Sequence, residues 1–106
     1  MYNDSQVLKI INQLHVVEQK LESNQVHDKV SRNFKRISAA FEEMGIVIQN
    51  PLGEFYDETR SDCEASITGD GSQNLHIIEV IKPIVYKVED AENVLLQRGI
   101  VLVQSK

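Results

Sequence analysis

The chain has 106 residues, 42% hydrophobic and 25% charged, and a formal net charge of −5, the composition of one small globular domain. The acidity argues against a phosphate backbone as main partner, because nucleic acids select Lys/Arg surfaces. No apolar run approaches the roughly 18 residues that a bilayer crossing needs, and the opening MYNDSQ has neither the basic leader nor the apolar core of a signal peptide. One cysteine makes no internal disulfide, and three scattered histidines have no metal-ligand spacing. The expectation is a cytoplasmic chain without disulfide, metal or cofactor.

No glycine or proline precedes Gly45, whereas both prolines follow it. The charge divides at the same place: residues 1–45 hold six Lys/Arg against six Asp/Glu, and residues 46–106 hold five against ten. Helix-breaking residues confined to one part predict an α+β chain, with helices over 1–45 and a turn-rich β-domain over 46–106.

From Val7 to Leu21 the apolar residues Val7, Leu8, Ile10, Ile11, Leu14, Val16, Val17 and Leu21 recur at helical spacing, behind Asp4 or Ser5 as N-cap. A second stripe runs through Val26, Val30, Phe34, Ile37, Phe41 and Met44, with Gly45 suited to the left-handed position that ends a helix. The stripes are out of register across Glu22–Gln25, which predicts two helices joined by a short turn. Such a hairpin has more apolar surface than it can cover alone. A second copy would complete an antiparallel four-helix bundle in a homodimer, with Val7, Ile10, Ile11, Leu14, Val17, Leu21, Val30, Phe34, Ile37 and Phe41 at the interface. The alternative cover is the chain's own sheet. His15 is expected on the helix surface, and Arg32, Lys35 and Arg36 form a solvated basic face.

Ile46-Val47-Ile48 reads as a short strand stopped by Asn50-Pro51. Residues 54–62 are polar apart from Phe55 and Tyr56 and read as an exposed loop. Cys63–Thr68 alternates as a strand with Cys63, Ala65 and Ile67 on one face, and Gly69-Asp70-Gly71-Ser72 is a turn. Leu75–Val88 reads as one long strand in which Pro83 marks an edge, bulge or bend. Glu89–Asn93 reverses the chain, and the strands Val94–Leu96 and Ile100–Val103 flank a kink at Gln97-Arg98-Gly99. Several short strands in about 60 residues suggest a small, mainly antiparallel sheet or barrel.

This half offers no catalytic constellation, and the chain is not expected to be an enzyme. Cys63 alternates with core positions, and its acidic neighbours Asp62 and Glu64 oppose thiolate formation. Gly69-Asp70-Gly71 lacks the helix start and Lys-Ser/Thr of a phosphate loop. Asp57, Glu58 and Asp62 lack the spacing of a calcium loop and read as a hydrated acidic rim.

The order of these segments resembles the C-terminal core of the GrpE family, the nucleotide-exchange co-chaperones of DnaK-type chaperones. Met44-Gly45 leads into Ile46-Val47-Ile48 as the family's helix leads into its "GV" step. Gly53-Glu54-Phe55-Tyr56-Asp57 stands where the family has "G-x-x-F/L-D-P", and Cys63-Glu64-Ala65 at its "H-E/Q-A" strand start. Tyr86-Lys87-Val88 follows the "K-G-Y" strand, and Ile100–Val103 the last strand. Asn12-Gln13-Leu14 occupies the place of "D-N-L". The likeness spans nearly the whole chain, on order and spacing more than on identities.

Several positions depart from the pattern. The 106 residues do not include the family's long N-terminal paired helix, so the chain reads as a minimal form or a fragment; Val16 replaces an arginine, Glu58 the loop proline, Cys63 a histidine and Val85 a glycine. Gln97-Arg98-Gly99 replaces "R-P-A". The resemblance implies a co-chaperone whose β-domain levers open the ATPase domain of a DnaK-type chaperone and releases ADP, by binding rather than covalent chemistry. It implies partner contacts at Tyr56, Asp57, Glu58, Thr59, Glu64 and Lys82. Phe55 is expected in the core, and Tyr56 either there or at the surface. The competing expectation is a dimeric adaptor or assembly module on the same scaffold, without exchange activity. A small enzyme or ligand-binding domain is disfavoured for want of a titratable cluster.

Overall fold

The computed structural model describes residues 3–106. The first helix, α1 (Asp4–Ser23), starts one residue earlier than its apolar pattern suggests. Asn3, not Asp4 or Ser5, is the N-cap: its side chain accepts from the Gln6 backbone N–H while the Gln6 side chain accepts from the Asn3 N–H. That reciprocal pair is a capping box made of amides. The helix ends as the register mismatch requires. Gln25 turns left-handed at φ 62°, Gln25 N–H donates to the Glu22 carbonyl, and Val26 N–H reaches back to Leu21. This is a Schellman closure with a glutamine in the usual glycine position. A 3₁₀ turn, His27–Lys29, then leads into α2 (Ser31–Glu43), which closes on Gly45 at φ +83°.

Six strands follow: β1 (Ile46–Gln49), β2 (Cys63–Thr68), β3 (Leu75–Lys82), β4 (Ile84–Glu89), β5 (Glu92–Gln97) and β6 (Gly99–Ser105). They form two three-stranded sheets, ordered β1-β4-β5 and β2-β6-β3. The fold is therefore α+β, as expected, with a mixed rather than purely antiparallel β-domain, since β2 runs parallel to β6. The expected single strand Leu75–Val88 is two strands in different sheets. Pro83 stands at the crossing, where its missing N–H is needed by neither ladder. The chain returns to the second sheet at Arg98, at the expected kink. Gly99 beyond it has no room for a side chain: a Cβ there would meet Ile84 Cγ1 at 2.9 Å and Cys63 Sγ at 3.3 Å.

Strand alternation distributes apolar groups between two cores. Cys63, Leu75, Ile77, Val80, Val101 and Val103 fill the inner face of the second sheet, and Ile84 closes over them. The next residue, Val85, points the other way, into a cluster with Ile46, Val7 and Ile11. Pro83, Ile84 and Val85 are thus buried in succession because the strand between the cores has no solvent face at this point.

The α1 stripe is covered on one side only. Val7 and Ile11, expected at a dimer interface, are instead buried against the chain's own β1 and β4, with Leu8, Phe41, Ile48 and Leu96 packed around them. One turn further, His15 is buried too, contrary to its expected place on the surface. Its Nε2–H donates to the Val80 carbonyl at 2.6 Å, and Gln19 Nε2 donates to the same oxygen at 2.6 Å. A polar residue is tolerated there because it meets a strand carbonyl rather than hydrocarbon. Asn12 and Gln97 exchange two amide hydrogen bonds of 2.9 Å, fixing α1 on β5. The other side of the helix is left open: Ile10 is 55% and Val17 47% exposed, with Leu14 and Leu21 half-buried. Val30, the N-cap of α2, is half-buried, as are Phe34, Ile37 and Phe41 within it, and none is fully buried. No four-helix bundle exists within the chain, whose described residues contain two α-helices. Neither is long and apolar enough to cross a membrane.

Candidate partner-binding face

The segment between β1 and β2 is a strap rather than a free loop. Gly53 takes φ +85°, and its N–H donates to the Ile77 carbonyl; Ile77 N–H donates to Glu54, and Tyr56 N–H to Leu75. Residues 53–56 thus run along the edge of β3 like a short extra strand. Past Tyr56, Asp57 makes an Asx turn. Its carboxylate accepts the Thr59 N–H at 2.9 Å and also the Thr59 hydroxyl. Those hydrogen bonds, the hydroxyl's first, hold the Asp57 carboxyl below its ordinary pKa.

Arg60 ties the strap into a closed unit. Its guanidinium donates to Asp62 at 2.7 Å, to Glu54 at 2.8 Å and to the Phe55 carbonyl at 3.0 Å. Asp62 is held below the usual carboxylate range, chiefly by the Arg60 hydrogen bond, and Arg60 is raised by the same contact. Cys63 follows, buried, its thiol pushed up to about 11 first by burial and then by Asp62. Burial and the raised pKa both disfavour its thiolate.

The aromatic pair is placed opposite to expectation for Phe55. It is 53% exposed, with its ring edge-on to His76 at 5.9 Å, whereas Tyr56 is half-buried against the Cys63–Val103 core. The reason is strand alternation along the strap: only one of two successive side chains can face inward.

Of the six residues implied as partner contacts, Tyr56, Asp57 and Glu58 are brought together. With Phe55, Ala65 and Ile67 they line a concavity of about 510 Å³ at the inner margin of the second sheet. Thr59 is exposed but is used in the Asx turn. Glu64 and Lys82 lie on the opposite, outward face. The register pairs both with Ile100, so they flank it across β2-β6-β3. Half-buried Ile100 and Leu102 occupy the centre of that face, with Glu64, Ser66, Glu79 and Lys82 beside them. An apolar centre with a polar rim is the anatomy of a protein-binding surface. Arg98 donates to Glu64 at 3.0 Å and to the Cys63 carbonyl at 2.8 Å. Arg60 was not singled out from the sequence, and Arg98 only as part of the Gln97-Arg98-Gly99 kink; the chain's return at Arg98 is what brings it beside Glu64.

One potential metal-ligand group exists among the described residues. Glu18, Glu22 and His27 place their ligand atoms within 4.8 Å of one another, His27 Nε2 lying 2.7 Å from Glu18. The histidines have no sequence spacing for this; the turn after α1 folds one of them back onto two carboxylates. The ring also stacks on Phe34 at 6.0 Å, so the group already serves to join α1 to α2. A scan against family models and searches of the curated proteins and of the solved structures give no match.

Proposed function

We propose that the chain is a GrpE-like co-chaperone, an adenyl-nucleotide exchange factor that binds the ATPase domain of a DnaK-type chaperone and acts as a homodimer. The observation that carries the proposal is the register of the second sheet. Glu64 and Lys82 belong to separate segments of the resemblance, and strand pairing sets them on either side of Ile100 on one open face. The order of two helices followed by a six-stranded β-domain agrees with it, as does the unpartnered side of α1. The work is conformational: a factor that binds the open ATPase domain more tightly than the closed one shifts the population toward nucleotide release. No step requires a catalytic residue.

The test is release of labelled ADP from a DnaK-type chaperone mixed with stoichiometric protein. Acceleration is expected, and Glu64→Lys together with Lys82→Glu should reduce it about tenfold, roughly 1.4 kcal/mol of differential binding. No acceleration at saturating protein removes the exchange activity. Recovery of a different folded partner by pull-down would then favour the adaptor on the same scaffold.

A further inference from the structure

The second sheet ends on an unguarded edge. In the order β2-β6-β3 the outer side of β2 pairs with nothing among the described residues. Natural edge strands are usually protected by lysines, prolines, bulges or a covering loop. The sequence Cys-Glu-Ala-Ser-Ile-Thr has no lysine or proline, its register against β6 is unbroken, and its one charge is engaged by Arg98. Ile67, on the inward face of this strand, is 54% exposed. It lines the concavity formed with Ala65, Phe55 and Tyr56.

The charge around the edge has one sign. Residues 54–72 carry six carboxylates and one cation, Arg60, which is consumed by Glu54 and Asp62. Among the described residues, Asp57 and Glu58 at the rim of the concavity have no ion pair. We propose that β2 receives an extended, basic–apolar peptide segment of another protein as an added strand. Its backbone would continue the sheet, one inward apolar side chain would enter the concavity beside Ile67, and its cations would lie against Asp57 and Glu58. Strand addition also accounts for the position of the candidate contacts on both faces of this sheet, because a segment along β2 borders the concavity on one side and Glu64 on the other. The inference goes beyond the co-chaperone proposal and rests on the free edge, the concavity beside Ile67 and the acidic rim.

A fluorescent eight-residue peptide with a Val-Thr-Val-Thr core between paired lysines, one lysine of each pair sharing the valine face, tests it on the full chain, with no chaperone present. Saturable binding is expected. N-methylation at alternate residues of the peptide, on the side meeting β2, should weaken it about tenfold or more by removing backbone donors. Substituting Glu for every Lys in the peptide should abolish binding, and Ile67→Lys in the protein should do so while circular dichroism is unchanged. Equal binding of the methylated peptide, or no binding of the unmethylated one, overturns the proposal. So does self-association of the protein that Ile67→Lys abolishes, which would assign the edge to a second copy. ADP release by a chaperone is unaffected by these outcomes, so failure here and failure of exchange are separately readable.

Discussion

At the scale of single residues, Arg60 organises the strap. It joins Glu54, Phe55 and Asp62 across an eight-residue reach, so the orientation of Tyr56 and Asp57 depends on a guanidinium that touches neither side chain. Asp62 has a lowered pKa in the folded chain, so the contact stabilises above the unfolded carboxyl value, about 3.9, and its contribution fades as pH falls through the lower folded value. Arg60→Gln is expected to cost about 1–2 kcal/mol at neutral pH, the range for partly solvated charge-assisted hydrogen bonds. Urea midpoints measured from pH 7 to pH 2.5 check this: the gap between the two proteins should close at the acidic end. A gap independent of pH would assign Arg60 a packing role instead. His15 teaches a related lesson. It was expected on the surface although it stands one turn past Ile11, and the backbone carbonyl that accepts it there could not be read, because Val80 lies 65 residues away.

Among elements, the β4–β5 hairpin is built against local preference. Asp90 and Ala91 both take positive φ, 50° and 66°, between the paired Glu89 and Glu92. A left-handed alanine costs roughly 1–2 kcal/mol where glycine is free. Ala91→Gly should therefore raise stability by about 0.5–1 kcal/mol after the added chain entropy is subtracted. Thermal unfolding measures it, and a lower Tm would contradict the strained turn. The strands themselves were largely legible: β1, β2, β5 and β6 lie near their alternating segments. Leu75–Val88 was misjudged because the apolar run continues across Pro83 while the sheet changes. Periodicity reports which side chains share a face, not which sheet receives them. The parallel pairing of β2 with β6 was equally hidden, since it depends on a return path through three strands.

For the whole molecule, the question is what covers the open side of α1. Ile10, Leu14, Val17 and Leu21 recur at steps of four, three and four, the seam of a coiled coil, while Val7 and Ile11 are already spent on the chain's own sheet. A dimer, if it forms through this seam, gives a mass near twice 12.1 kDa, and Ile10→Glu with Val17→Glu should return it to 12.1 kDa without loss of helix signal. A wild-type monomer at high micromolar concentration would remove the homodimer from the proposed function. The sequence pointed to excess apolar surface on the helices but assigned Val7 and Ile11 to the wrong partner, since a stripe's width shows how much must be covered and not by what.

Two donors from successive turns, His15 and Gln19, fill both lone pairs of the Val80 oxygen. The arrangement works as a key in a keyway. Each residue of rotation turns a helix by about 100°, so no neighbouring azimuth would bring both donors back to that atom. The bare flank carrying Ile10 and Val17 is consequently aimed in one fixed direction from the strand module. Whatever grips that flank also dictates where the acidic end of the molecule points.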